Sequence, residues 1–175
     1  MDKFRKNIIK MWMSRVQEKY GSTTTLSYDT DLFYADNLIF CCIAYEAYAF
    51  GRFQKAQMSE NRRTLSKTFQ ISFKELIESN SLKDFEEALN NLKEEIDKKP
   101  LDDMTPNSNR PPLDLPDKKD MDRILEIIYR IRSNLLHGGK EVNPSIQRNM
   151  TLIVSSFIVL FHIMNLILKQ EGLIQ

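Results

Sequence analysis

Arg132 and His137 are separated by four residues and followed at once by Gly138 and Gly139, in a chain of 175 residues that holds only two histidines and five glycines. Histidine titrates near neutrality and so suits proton transfer, while arginine is a fixed planar cation that suits a phosphate. At one site the two would supply a proton donor or acceptor and a clamp for developing negative charge, which is what chemistry at phosphorus requires. Ser133 and Asn134 lie between them and offer hydrogen bonds; Arg130 is a second arginine, with six residues between it and His137.

The element that must position these groups is a helix. Met121, Ile124, Leu125, Ile128, Ile131 and Leu135 recur at steps of three and four with charges between them. Gly138 and Gly139 supply a residue able to take positive φ where the helix should stop, and Pro144 cannot continue it, so His137 falls in the last turn. Positions 132 and 137 then lie about 140° apart on an ideal helix and would converge only where its end frays. Arg130 and Arg132 point about 200° apart, so only one can share a site with His137. Arg132 is the better candidate, because Arg130 falls between apolar positions on the side expected to be solvated. The ordinary alternative is that Arg132 pairs with a buried acid and His137 bonds the last carbonyls of its helix.

An arginine, four to six residues and a histidine at the end of an amphipathic helix, followed by glycine, resembles the signature of HEPN domains, the higher eukaryote and prokaryote nucleotide-binding superfamily. The phrasing Ile128, Tyr129, Ile131, Arg132, Leu135, Leu136, His137, Gly138, Gly139 is closest to its Apea-like branch. Ser133 stands where that family often has Asn, Asp or His. The resemblance implies a helical bundle over roughly residues 30 to 170 and a metal-independent endoribonuclease. RNA would be cleaved by attack of the ribose 2′-OH on the adjacent phosphate, in a toxin or phage-defence effector. It also implies a homodimer whose composite groove carries Arg132 and His137 from both copies, since one histidine cannot easily be base and acid at once. Asn134 would orient the phosphate or cap the helix, with Ser133 beside it; a cognate antitoxin or regulatory protein is the implied partner. A second reading is a non-catalytic HEPN module that binds RNA, nucleotide or a partner protein.

Composition narrows these choices. A net charge of +1 argues against a protein that coats nucleic acid by bulk electrostatics. Charge is distributed unevenly, however: Arg52, Lys55, Arg62, Arg63, Lys67 and Lys74 stand against the one acid Glu60, and Glu75 to Asp103 is predominantly acidic. The basic run reads either as a strip that follows an RNA backbone or as a solvated helix face. Cys41 and Cys42 are adjacent in an apolar segment and read as reduced core residues. No CxxC, HExxH or phosphate-binding glycine loop occurs, so neither a metal nor a nucleotide cofactor is indicated. The charged, amphipathic start MDKFRKNIIKMW lacks a secretory signal's apolar stretch, and a cytoplasmic protein is expected.

Along the chain, helices are expected over Asp2 to Tyr20, ending at Gly21, then from Asp31 to about Gln57 after a loop from Thr23 to Asp31, and over Thr64 to Ser79. Ser81 reads as the N-cap of a further helix that runs to Lys99, with Asp84 at the capping-box position. Glu46 is the only charge between Leu38 and Phe50. It must face solvent at the bundle edge, pair with Arg52, or meet a cation inside, for which Arg132 is the candidate. Pro100 to Lys119 holds five of the six prolines and reads as a long loop or partly disordered insertion.

The last helix, about Ser145 to Gln170, has twenty residues without formal charge between Arg148 and Lys169, long enough to span a membrane. Arg148, Thr151, Ser155, His162, Asn165 and Lys169 fall within about 100° of one another, a polar stripe that favours burial in a bundle or a dimer interface over a lipid anchor. No segment reads as a strand. The fold expected is one all-α domain over residues 1–175, an up-and-down bundle of four or five main helices.

Overall fold

The computed structural model describes residues 6, 7, 9–11, 13, 14, 30–79, 82–103, 109–137 and 147–174, with side chains omitted for 30–32 and 137. Among them are five long helices: α1 Thr30–Phe53, α2 Met58–Glu78, α3 Lys83–Lys98, α4 Met121–His137 and α5 Gln147–Gln170. There is no strand among the described residues, and the chain is an all-α helical bundle. Of the helix expected over Asp2 to Tyr20, the described residues within 6–14 are helical, and Ile9 and Met13, one turn apart, are buried. The loop from Thr23 and the cap positions Gly21, Ser81, Gly138, Gly139, Pro144 and Ser145 lie outside the described residues.

α5 lies at the centre. It packs most extensively on α3 and α1, with smaller contacts to α4 and α2. Phe157, Leu160, Ile163, Met164, Ile167 and Leu168 are buried in that core. α5 is long and apolar enough to cross a membrane, and 67% of its most apolar window is buried against the other helices. Two residues of its polar stripe, Arg148 and His162, meet α3, whereas Lys169 is exposed. Arg148 donates to the carbonyls of Glu95 and Lys99 at 3.3 and 2.6 Å, joining the Lys99 N–H on the Glu95 carbonyl and satisfying the Lys99 carbonyl just past the end of α3. Nearer the other end, His162 Nε2 lies 2.9 Å from Asp84 Oδ2, so α3 and α5 run antiparallel. Leu82, in an extended conformation, holds the N-cap position of α3, and the cap expected from Ser81, with Asp84 at the capping-box position, involves a residue outside the described ones.

α2 begins six residues earlier than its apolar spacing predicts, and the cause is Asn61. Its fully buried side chain accepts from the Lys55 N–H at 3.0 Å and donates to the carbonyls of Lys55 and Gln57 at 3.0 and 3.1 Å. Those bonds fasten the turn after α1, so the chain re-enters helix at Met58. α2 and α4 run antiparallel: Gln70 meets the start of α4, donating to the Lys119 carbonyl and accepting from the Met121 N–H, while Arg62 reaches Asp122 and Glu126.

The proline-rich segment is anchored at both ends. Leu101 and Leu113 form an antiparallel bridge through two backbone hydrogen bonds of 2.7 and 2.9 Å, and both are buried together with Leu115. Residues 101–103 and 109–115 therefore form a strap whose leucines belong to the core.

Candidate functional site

Four faces of α4 meet four different surroundings, as a helix with about 100° between successive residues dictates. Met121, Leu125 and Ile128 enter the core, and Arg132 continues that stripe into the last turn. There its Nη1 lies 3.4 Å from Glu46 Oε1 of α1. Its guanidinium carbon stands 5.7 Å from the centroid of the Tyr129 ring, a cation–π contact. Glu46 thus meets a cation inside the bundle, and Arg52 instead reaches Glu171 beyond α5 at 3.5 Å.

The Arg132–Glu46 pair is in ionic contact without being hydrogen-bonded. Glu46 Oε1 and Arg132 Nε are both buried and have no hydrogen-bond partner among the described residues. Burial raises the Glu46 carboxyl above its ordinary range, and the Arg132 charge opposes that rise more weakly. The adjoining Cys42 thiol is pushed up to about 12 by burial, so Cys42 is an inert thiol despite the nearby cation. Unsatisfied buried polar groups are uncommon in folded proteins, and such a pair can accept an anion at the guanidinium.

α4 stays helical through His137. Positions 132 and 137 therefore remain about 140° apart around the axis, with no fraying before the histidine. The His137 side chain lies outside the described residues.

Ser133 and Asn134 turn away from Arg132. Asn134 is buried and donates to the Asp102 carbonyl at 3.0 Å, holding the strap. Arg130 corrects the expectation of a solvated side chain, being only 8% exposed. Its Nη1 donates to the Pro111 carbonyl at 2.6 Å and the Leu101 carbonyl at 3.5 Å. Arg123 also grips the strap, through the Asp114 carbonyl at 2.7 Å and the Asp114 carboxylate. The strap covers the side of α4 that would otherwise face water.

Ser133 lies on the fourth face, where it lines a cleft of about 320 Å³ between α2, α4 and the strap. Arg62 and Arg63 line the same cleft, with Arg110 and Arg130 opposite and Tyr45 and Tyr129 between. Of the basic run, Arg62 is held by Asp122 at 2.9 Å and Glu126 at 3.8 Å, whereas Arg63 and Lys67 are exposed one turn apart on α2. Lys55 is exposed in the turn that Asn61 fastens.

Motif spacing did not reveal Arg110, Arg130, Tyr45 or Tyr129 as parts of a cleft. A signal for the strap does exist, because Arg123, Arg130 and Asn134, at i, i+7 and i+11, share one face within about 40°. Among the described residues, no three His, Cys, Asp or Glu side chains are grouped to hold a metal ion. No protein-family model matches the chain, and no curated protein or solved structure matches it either.

Proposed function

We propose that this chain is a metal-independent endoribonuclease of the HEPN type, acting as a homodimer in the cytoplasm as a toxin or phage-defence effector. The observation that supports this reading is the half-satisfied Arg132–Glu46 pair in the last turns of the helix that carries His137. A phosphate oxygen at the accessible part of the Arg132 guanidinium would make the charge-assisted hydrogen bond that Glu46, at 3.4 Å, does not. In the reaction, a base removes the 2′-OH proton, the 2′-oxygen forms a bond to phosphorus, and the phosphorus to 5′-oxygen bond breaks as an acid protonates the leaving oxygen. The products are a 2′,3′-cyclic phosphate and a 5′-hydroxyl. His137 is suited to either proton transfer and Arg132 to the charge on the phosphorane. The separation of positions 132 and 137 around α4 favours a site that two copies complete, each giving one histidine. A cognate antitoxin or regulatory partner would then act by covering that groove.

The alternative is a non-catalytic module that binds RNA, nucleotide or a partner protein. It is favoured by one observation: Asn134 is engaged by the strap and Ser133 faces the arginine cleft, which leaves Glu46 as the polar neighbour of Arg132.

Cleavage of total cellular RNA in EDTA, with the mass of the protein measured in the same buffer, separates the two. A dimeric protein that leaves 2′,3′-cyclic ends, and loses cleavage in His137→Ala and Arg132→Ala, is the expected result. Intact RNA from a folded dimer across varied substrates would refute the nuclease reading.

A further inference from the structure

Charge on the surface of this bundle is neutralised unevenly. From α3 to the first turn of α4, Lys93, Lys98, Lys99, Lys119 and Arg123 each lie within ion-pair distance of a carboxylate. On α2, Arg63, Lys67 and Lys74 are exposed, and none has an ion pair among the described residues. Glu78 feels the charge of Lys74 but is held by Lys119 at 2.8 Å. The other exposed lysines of residues 30–174 without an ion pair, Lys55, Lys83 and Lys169, stand singly near helix ends. The cause is local. From Asn61 to Lys74 the chain carries four cations and no acid, and only Arg62 is matched, by Asp122 and Glu126 across from it on α4.

The three unmatched cations form a row. At about 100° per residue they fall within about 40° of one another, spread over about 17 Å of the α2 axis. Gln70 borders the same stripe, and its amide meets the Lys119 carbonyl and the Met121 N–H, so the row lies on the shoulder of α2 next to α4. It also has a direction. Because α2 and α4 are antiparallel, Lys74 lies toward the start of α4 and Arg63 toward its end, where Arg63 lines the cleft together with Tyr129 and Ser133. The Tyr129 ring packs in turn on Arg132. A line of unmatched positive charge thus runs along the bundle and ends beside the neighbour of Arg132.

We propose that this row carries single-stranded RNA, holding its phosphates at Arg63, Lys67 and Lys74 and leading the strand to the Arg132 end of α4. A straight row on one helix face follows one backbone, and contacts to phosphate position a strand without reading its sequence. Three such contacts give weak binding that salt reverses, in keeping with a net charge of only +1. The choice of RNA as the polyanion rests on the nuclease reading of Arg132 and His137; the row of cations does not.

Fluorescence anisotropy of the full chain with labelled 2′-O-methyl RNA tests it. That probe has no free 2′-hydroxyl to attack phosphorus, so it stays intact whether or not the protein is a nuclease. Arg63→Ala, Lys67→Ala and Lys74→Ala should each weaken binding several-fold, alike for probes of different sequence and with no change in unfolding temperature. Each should also flatten the slope of log affinity against log salt by about 0.7, so that the triple variant loses about 2. Lys93→Ala and Lys98→Ala, at paired cations of α3, should bind as wild type does. The proposal is overturned if the probe does not bind at low salt, if the triple variant binds it like wild type, or if the two α3 variants lose as much. Phosphatidylserine vesicles bound more tightly than RNA, and released by the same triple variant, would assign the row to a membrane surface and overturn it as well. Binding with the expected salt slopes, but no cleavage of unmodified RNA, would uphold the row and refute the nuclease reading.

Discussion

Replacing Leu113 by alanine tests whether the strap is part of the core. Leu113 is 4% exposed and bridges backbone to backbone with Leu101, itself buried. The leucine-to-alanine change removes apolar contact and leaves a void, which costs about 2–5 kcal/mol in a packed interior. Pro112 and Asp114 on either side are exposed, so the strap can settle partway into the space. That places the loss near the lower end, at about 2–3 kcal/mol. The bonds from Arg123, Arg130 and Asn134 go to backbone carbonyls of the strap and survive the change. For a chain of this size each kcal/mol lowers the unfolding temperature by about 2–4 °C, so calorimetry should record a fall of about 5–10 °C. Asn109→Ala, at an exposed position of the same segment, should change stability by no more than about 0.5 kcal/mol. If Leu113→Ala and Asn109→Ala are indistinguishable in urea and thermal melts, the strap is not docked and the reasoning fails.

Glu46 has a pKa raised above 4.5 by burial, so the folded protein holds that proton more tightly than the unfolded chain does. Its contribution to stability is present below the unfolded-state pKa and lost as pH rises through the raised folded-state value; Glu46→Gln should lack this loss, and a wild-type minus variant difference that stays flat from pH 4 to 7 in urea melts would contradict it. Gly172, at φ 64°, closes α5 with its N–H on the Lys169 carbonyl and the Leu173 N–H on the Leu168 carbonyl. No atom would crowd an added Cβ, so Gly172→Ala should cost about 1 kcal/mol from backbone strain alone, with Gly172→Asn costing less in the same melt. Asp84→Ala removes the partner of half-buried His162, whose ring lies against Phe85 and Phe161; a loss of about 1 kcal/mol is expected by chemical denaturation, and an unchanged midpoint would show the contact to be dispensable.

The helices of this bundle are legible in the chain because burial imposes a local period, as at Met121, Leu125 and Ile128. The pairing of Glu46 with Arg132 is legible on chemical grounds, since a lone acid in an apolar helix needs a cation. Arg130 is misread for the opposite reason. Its face of α4 is polar, and polarity alone cannot distinguish water from a strap of backbone carbonyls that arrives from elsewhere in the chain. The early start of α2 is equally hidden, because Asn61 acts through bonds to a turn and leaves no periodic trace. The arginine cleft escaped motif reading because its residues come from α1, α2, the strap and α4, and only the fold brings them together.

The position of α5 also bears on how the chain is made. Synthesis is vectorial, so α1 to α4 emerge before the helix around which they pack. Until α5 follows, the apolar surfaces of α1 and α3 have no permanent partner, and α5 is itself long and apolar enough to attract membrane-insertion machinery. A polypeptide that stops before Gln147 would leave those surfaces uncovered, and is expected to aggregate or be degraded instead of forming a smaller version of the same fold.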